Sequence, residues 1–281
     1  MAAALATAGL ELAVYDIAAE RVAEIASATG GRGAASPREA AEGAEAVILM
    51  VVNGDQAKEA LFGPDGAAET LAEGSAVVLM STVGSAAVSE LDRLLRRRGL
   101  ELLDAPVSGG VRRAEAGQLL ILAGGPRPLF ERCAPALDAM GRTVVHCGES
   151  AGDGQAVKLV NQLLCGVHIA AAAEALAYAD RLGIDPRAAW EAVRHGAASS
   201  FMLEDRGQRM LDEEYLPARS ALDIFVKDMG LVVEAGERAR ARTPLAQTAR
   251  RLYEEGAARG LGAEDDSGVI RLLARERDEG E

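Results

Sequence analysis

The sequence predicts an α/β chain: a mostly parallel sheet covered by helices on both faces in its first half, then an all-helical second half. Short apolar runs of strand length recur through residues 1–150, each followed by a stretch of helical character. Those runs are continuous rather than alternating, as expected for parallel strands buried on both faces. From about residue 150 the strand pattern stops and helix follows helix. A length of 281 residues accommodates two domains, predicted at 1–150 and 151–281.

Taken in order, residues 1–8 are an Ala-rich helical segment closed by Gly9, and residues 10–15 (LELAVY) are the first strand. That strand runs into Asp16, and a helix follows through residue 29. An apolar strand ending in an acid, then a helix, is the pattern of the second strand of a dinucleotide-binding, doubly wound fold of the Rossmann type. There the carboxylate accepts hydrogen bonds from the adenosine ribose of NAD and repels the extra phosphate of NADP. Such a fold places a strand and a glycine-rich turn about 20 residues before that acid. Counting back from Asp16 leaves no room for them, so the sheet is expected to lack its first strand here. Further strands are predicted at 46–52, 76–80, 100–103, 118–123 and 143–146, with helices between the earlier ones. Beyond Ser150 come a long apolar helix and then helices over 186–195, 199–212, 223–240, 244–259 and 268–279.

Composition narrows the function. The net charge is -13 and no basic face is evident, which argues against nucleic acid or an anionic membrane as partner. Cys133, Cys147 and Cys165 form no CxxC pair and no metal-ligand spacing with the three histidines. They fit reduced thiols in a cytoplasm, with no metal expected. The first residues carry no basic stretch and meet Glu11 early, unlike a secretory signal. The run 159–179 is nearly membranous, but its Asn161, Gln162, His168 and Glu174 suit a protein core better.

Five stretches are candidates for chemistry. In Gly152-Asp-Gly-Gln-Ala-Val-Lys158-Leu-Val-Asn161, a tight loop leads into the long helix. Lys158 then sits in its first or second turn, with Asn161 one turn on along the same face. A partly desolvated ammonium can serve as a proton shuttle; a snorkelling lysine at a helix start is the plainer alternative. In Asp104-Ala-Pro-Val-Ser108-Gly109-Gly110, a strand turns through two glycines whose successive N–H groups could form an anion nest beside the Ser108 hydroxyl, or simply an ordinary turn. Ser81-Thr82 follows a strand at the carboxyl edge where such folds bind ligands, or caps a helix. Lys227-Asp228 is either a cofactor contact or a surface pair. Glu264-Asp265-Asp266-Ser267 could be a metal or substrate site but reads best as an acidic cap before the last helix.

Together DAPVSGGVRRAEAGQLLILAGG, GDGQAVKLVNQ and DIFVKDMGL resemble the β-hydroxyacid dehydrogenases, a family that includes 3-hydroxyisobutyrate dehydrogenase and tartronate semialdehyde reductase. The resemblance runs over essentially the whole chain, and within the family NQLLCGVHIAAAAEALA, RSALDIFVKD and AEDDSGVI are most similar to the L-threonate dehydrogenase branch. It implies NAD as oxidant and a small sugar acid as substrate, oxidised at C2, with Lys158 as the catalytic acid/base. Ser108, Gly109 and Gly110 would hold the substrate carboxylate, and Asn161 would orient Lys158 and a substrate hydroxyl. Asp16 would take the adenosine ribose, Val51 and Val52 would line the cofactor groove, and Thr82 and Lys227 would lie near the nicotinamide. Many relatives have Leu-Pro where Val51 and Val52 stand, and carry a GLGxMGxxM-like turn before the first helix. Other β-hydroxyacids, or a chain without cofactor binding, are the alternatives. Imine reductases share the architecture but usually lack a lysine at this position. The apolar helix after Lys158 also predicts a homo-oligomer.

Overall fold

A computed structural model describes residues 1–274, and the chain divides into two units, Met1–Lys158 and Leu159–Glu281. The first unit carries strands β1 (Ala13–Val14), β2 (Arg32–Gly33), β3 (Ala46–Leu49), β4 (Ala76–Leu79), β5 (Glu101–Asp104), β6 (Val107–Ser108), β7 (Leu119–Gly124) and β8 (Gly141–Gly148). Its helices are α1 (Ala2–Thr7), α2 (Ala19–Thr29), α3 (Pro37–Ala41), α4 (Gly54–Phe62), α5 (Ser85–Arg96), α6 (Gly110–Glu115) and α7 (Arg127–Met140).

Two ladders result. A six-stranded sheet runs β3-β4-β5-β7-β6, with β8 beside β7; β3, β4 and β5 are mutually parallel, as are β7 and β8. β5 and β6 meet β7 antiparallel. β1 and β2 form a separate parallel pair, and among the described residues no ladder joins it to the larger sheet.

The alternation along β4 shows why both faces are covered. Val77 and Leu79 pack with Val88, Leu91 and Leu95 of α5, while Ala76, Val78 and the following Met80 pack with Leu129, Cys133 and Leu137 of α7. The α5 residues recur at helical spacing, so one stripe is apolar and the other faces water. α4 starts where the Asn53 side chain accepts from Gln56 N. The strand predicted at 10–15 contracts to Ala13–Val14, because β2 offers it only two residues to pair with. β6 is an added strand that the sequence pattern does not announce.

The long helix α8 (Asp153–Arg181) starts in the first unit and continues into the second, where α9 (Pro186–Val193), α10 (Phe201–Asp212), α11 (Leu222–Arg238) and α12 (Pro244–Ala258) follow. By length and composition α8 could cross a membrane, yet Ile169, Ala172, Ala173 and Leu176 at helical spacing enter the core of the second unit. They pack there with Trp190, Phe225, Met229 and Tyr253. α8 and α11 approach closely: a Cβ on Gly166 would collide with the Met229 side chain. The Tyr253 hydroxyl reaches the same spot and donates to Gly166 O at 2.7 Å. In place of the helix predicted over 268–279, Asp266–Leu272 forms a 3₁₀ segment, and residues 275–279 lie outside the described residues.

Candidate active site

Parallel strands end together, so the residues just past β3, β4 and β5 gather at one edge of the sheet. Past β3, Val51 N donates to Ser81 Oγ at 2.7 Å and Val52 N to Gln56 Oε1 at 2.9 Å. Past β4 come Ser81, buried, and Thr82, half-buried. Past β5, the chain turns through Ala105 and Pro106 into β6, which carries Ser108. Gly109 and Gly110 then have φ of 140° and 70°, values that exclude most side chains. A Cβ on Gly109 would also strike the stem of Arg113, which folds back over the turn from α6.

Asp104 closes β5 and is fully buried. Gly152 N and Gln155 N donate to its Oδ2 at 3.1 and 2.8 Å, and Gln155 Nε2 donates to Oδ1 at 2.8 Å. Burial pushes its carboxyl up to about 6, against the pull of these donors. One turn beyond Gln155 is Lys158, only 4% exposed. Of the 30 lysines and arginines in the chain, only Lys58, Lys158 and Lys227 are lysines. Arginine supplies almost every other basic position, so a buried lysine stands out.

In the second unit a polar chain runs through otherwise apolar surroundings. Asn161 Nδ2 donates to Gln162 Oε1 at 2.9 Å, and Gln162 Nε2 donates to Asp228 Oδ2 at 2.5 Å. Lys227 Nζ lies 2.9 Å from Asp228 Oδ1. Asp228 and Gln162 are buried, which makes the pair at 227–228 more than a surface feature. Gln155 and Gln162 are given no role by the sequence alone; their hydrogen bonds to Asp104, Asp228 and Ser81 span 51 to 74 residues, beyond the reach of any local pattern.

Asp16 follows β1, and its Oδ1 accepts from Ala18 N at 2.9 Å, so it shapes the turn into α2. Beside it Ile17 is 90% exposed, and Met50 and Val52 past β3 are also exposed. A carboxylate able to accept from hydroxyls, near open apolar side chains, is chemically compatible with a dinucleotide.

The acidic run near the end of the chain is structural. Asp265 accepts from Ser267 N, Arg219 N and Arg209, and Asp266 is held bidentate by Arg206 Nε and Nη2 at 2.9 and 3.1 Å. Burial alone would raise Asp265, but its hydrogen bonds from Ser267 and the Arg209 charge hold it below the usual range. Among the described residues, no group of three His, Cys, Asp or Glu could hold a metal ion.

Residues 1–148 match the family of the NAD binding domain of 6-phosphogluconate dehydrogenase. Residues 152–273 match the family described as NAD-binding of NADP-dependent 3-hydroxyisobutyrate dehydrogenase. L-threonate dehydrogenase of Escherichia coli strain K12 is 43% identical over 234 residues, covering 83% of this chain and 77% of that protein. L-threonate dehydrogenase of Cupriavidus necator is 39% identical over 273 residues, covering 97% and 91%. The crystal structure of 3-hydroxyisobutyrate dehydrogenase from Salmonella typhimurium superposes with a TM-score of 0.90 at 41% identity, covering 96% of this chain and 94% of that one. The chain is an NAD-binding oxidoreductase and belongs to the β-hydroxyacid dehydrogenase family, the relatives of 3-hydroxyisobutyrate dehydrogenase.

Proposed function

We propose that this enzyme oxidises L-threonate at C2 with NAD, and that Lys158 is its general acid/base. The observation that carries the reading is a buried lysine near the start of α8 in a chain where arginine outnumbers lysine at basic positions. An ammonium can lose its proton at moderate cost and a guanidinium cannot, so a proton-transfer role requires lysine. Neutral Lys158 accepts the proton of the C2 hydroxyl as the C2 hydrogen departs as hydride, leaving a 2-keto acid. When bound, NAD supplies the hydride acceptor.

Ser108, Gly109 and Gly110 hold the substrate carboxylate, a role supported by the positive φ of both glycines. Asn161 orients Lys158 and a substrate hydroxyl. Asp16 takes the adenosine ribose, which favours NAD over NADP. Val51 and Val52 line the cofactor groove, with Thr82 and Lys227 toward the nicotinamide. Residues 1–150 form the nucleotide-binding domain and 151–281 the helical domain, working in the cytoplasm. The enzyme is a homo-oligomer: on α8, Val160, Leu164 and Tyr178 are 63%, 48% and 62% exposed, at spacing that suits a partner helix.

The similarity to the Salmonella structure favours 3-hydroxyisobutyrate as a second substrate reading. Initial rates with L-threonate, 3-hydroxyisobutyrate and glycerate, each with NAD and NADP, decide between them. The highest kcat/KM is expected for L-threonate with NAD. Preference for another acid overturns the substrate, and turnover with none of them overturns the function.

A further inference from the structure

Two side chains with no part in the reaction above hold the helix that presents Lys158. Asp104 accepts three hydrogen bonds, all from the start of α8: Gly152 N, Gln155 N and Gln155 Nε2. A carboxylate at a helix N-terminus caps unpaired N–H groups and complements the dipole; here it is supplied from the end of β5 rather than from the helix's own chain segment. Gln155 extends the connection. Its Nε2 also donates to Ser81 O at 3.0 Å, and its Oε1 accepts from Val83 N and Gly84 N, each at 3.0 Å. All four bonding positions of the amide are filled, and each works in one sense only. Reversing the amide would set donor against donor at Val83 and Gly84.

The surroundings leave no slack. A Cβ on Gly154 would strike Leu122 O and the Asp104 backbone and carboxylate oxygens. One on Gly124 would meet the backbone nitrogens of Gly154 and Asp153. One on Gly148 would meet the Asp153 carboxylate. Glycines at the ends of β7 and β8 and in the first turn of α8 thus let the helix start lie against the strand ends.

We propose that Asp104 and Gln155 are positioning residues that clamp the first turn of α8 to the ends of β4 and β5, and so fix where Lys158 stands. The inference rests on the reading of Lys158 as acid/base. Lys158 follows Gln155 by three residues, so a tilt of the first turn carries it along. A displacement of about 1 Å at a reacting group can cost on the order of 100-fold in rate. The plainer account, a buried cap that only stabilises the fold, predicts lost stability with unchanged chemistry per folded molecule.

Gln155→Glu separates the two. It keeps the size and the acceptor facing Val83 and Gly84, but sets an oxygen against Asp104 and Ser81 O. Adding Asp104→Asn returns a donor amide opposite that oxygen. In the folded full-length enzyme, Gln155→Glu is expected to lower kcat by about 10- to 100-fold with KM for the acid and for NAD little changed. The Asp104→Asn/Gln155→Glu pair should recover part of that loss. In a Lys158→Ala background Gln155→Glu should barely alter the residual rate, because no ammonium remains to be positioned. Unchanged kcat, or an equal fractional loss with and without Lys158, overturns the clamp. So does failure of both Gln155→Glu and Gln155→Met to fold, which makes the contact purely structural. Full turnover in Lys158→Ala would instead remove the acid/base reading and the clamp's purpose with it. Turnover lost in Lys158→Ala but intact in Gln155→Glu removes the clamp alone.

Discussion

Asp104 meets two opposed demands. Burial disfavours its charge and lifts the carboxyl from 3.8 to about 6, while three hydrogen-bond donors suit the ionised form. A carboxyl whose pKa is higher in the fold than in the open chain stabilises the fold when protonated. That contribution is complete below about pH 4 and is lost as pH rises through about 6; a shift of this size is worth roughly 3 kcal/mol. Other carboxylates titrate nearby in pH, so the difference from a variant is the useful quantity. Melting temperatures of wild type and Asp104→Asn, measured from pH 4.5 to 7.5, should show the wild type losing ground to the variant as pH rises. A constant difference across that range would contradict the buried ionisation. Asp104 was visible in the sequence as the end of a strand, but its role was not. Its partners are 48 and 51 residues away, and only the fold brings them together.

At the scale of the element, α8 shows what a sequence can and cannot disclose. Its apolar run and the glycine loop before it mark a helix, and Lys158 falls near its start as the spacing predicts. The parallel strands are equally legible, because four buried residues in a row, as in AVVL of β4, have few other uses. Shortfalls occur where pairing rather than composition decides. β1 is only as long as β2 allows, and β6 exists because β7 lies beside it. The seat of α8 is likewise a matter of close approach: Gly154→Ala should destabilise the enzyme by about 1–3 kcal/mol, or more if the backbone of Leu122 cannot yield. A denaturant midpoint equal to that of the wild type would show that the helix start has room to move. The acidic run at 264–267 is a further case. Its carboxylates read as a helix cap, and Asp265 does receive Ser267 N, yet Asp266 instead meets Arg206 across 60 residues. Removing one partner of a buried pair strands the other charge. Arg206→Ala should therefore cost about 3–5 kcal/mol near neutral pH, read by denaturant unfolding. A loss of only a few tenths would mean that Asp266 finds another partner or a proton.

The whole molecule poses questions of assembly and of chemistry. Val160, Leu164 and Tyr178 leave an apolar stripe open to water on α8, although the opposite side of the same helix fills the core of the second unit. Light scattering at micromolar concentration should report an oligomer, and Val160→Asp should lower its mass; a monomeric wild type would contradict the assignment of that stripe. The family and its nucleotide chemistry follow from matches spanning both units. What Lys158 does is the central claim, and its replacement by arginine tests it most directly. Arginine keeps the positive charge and a comparable reach but cannot give up its proton near neutrality. With L-threonate and NAD, Lys158→Arg should lose about 10²- to 10⁴-fold in kcat, much as Lys158→Ala does, while NAD still raises the melting temperature of both. Retention of most turnover by Lys158→Arg would show that the position supplies only a fixed charge, and the acid/base account would be wrong.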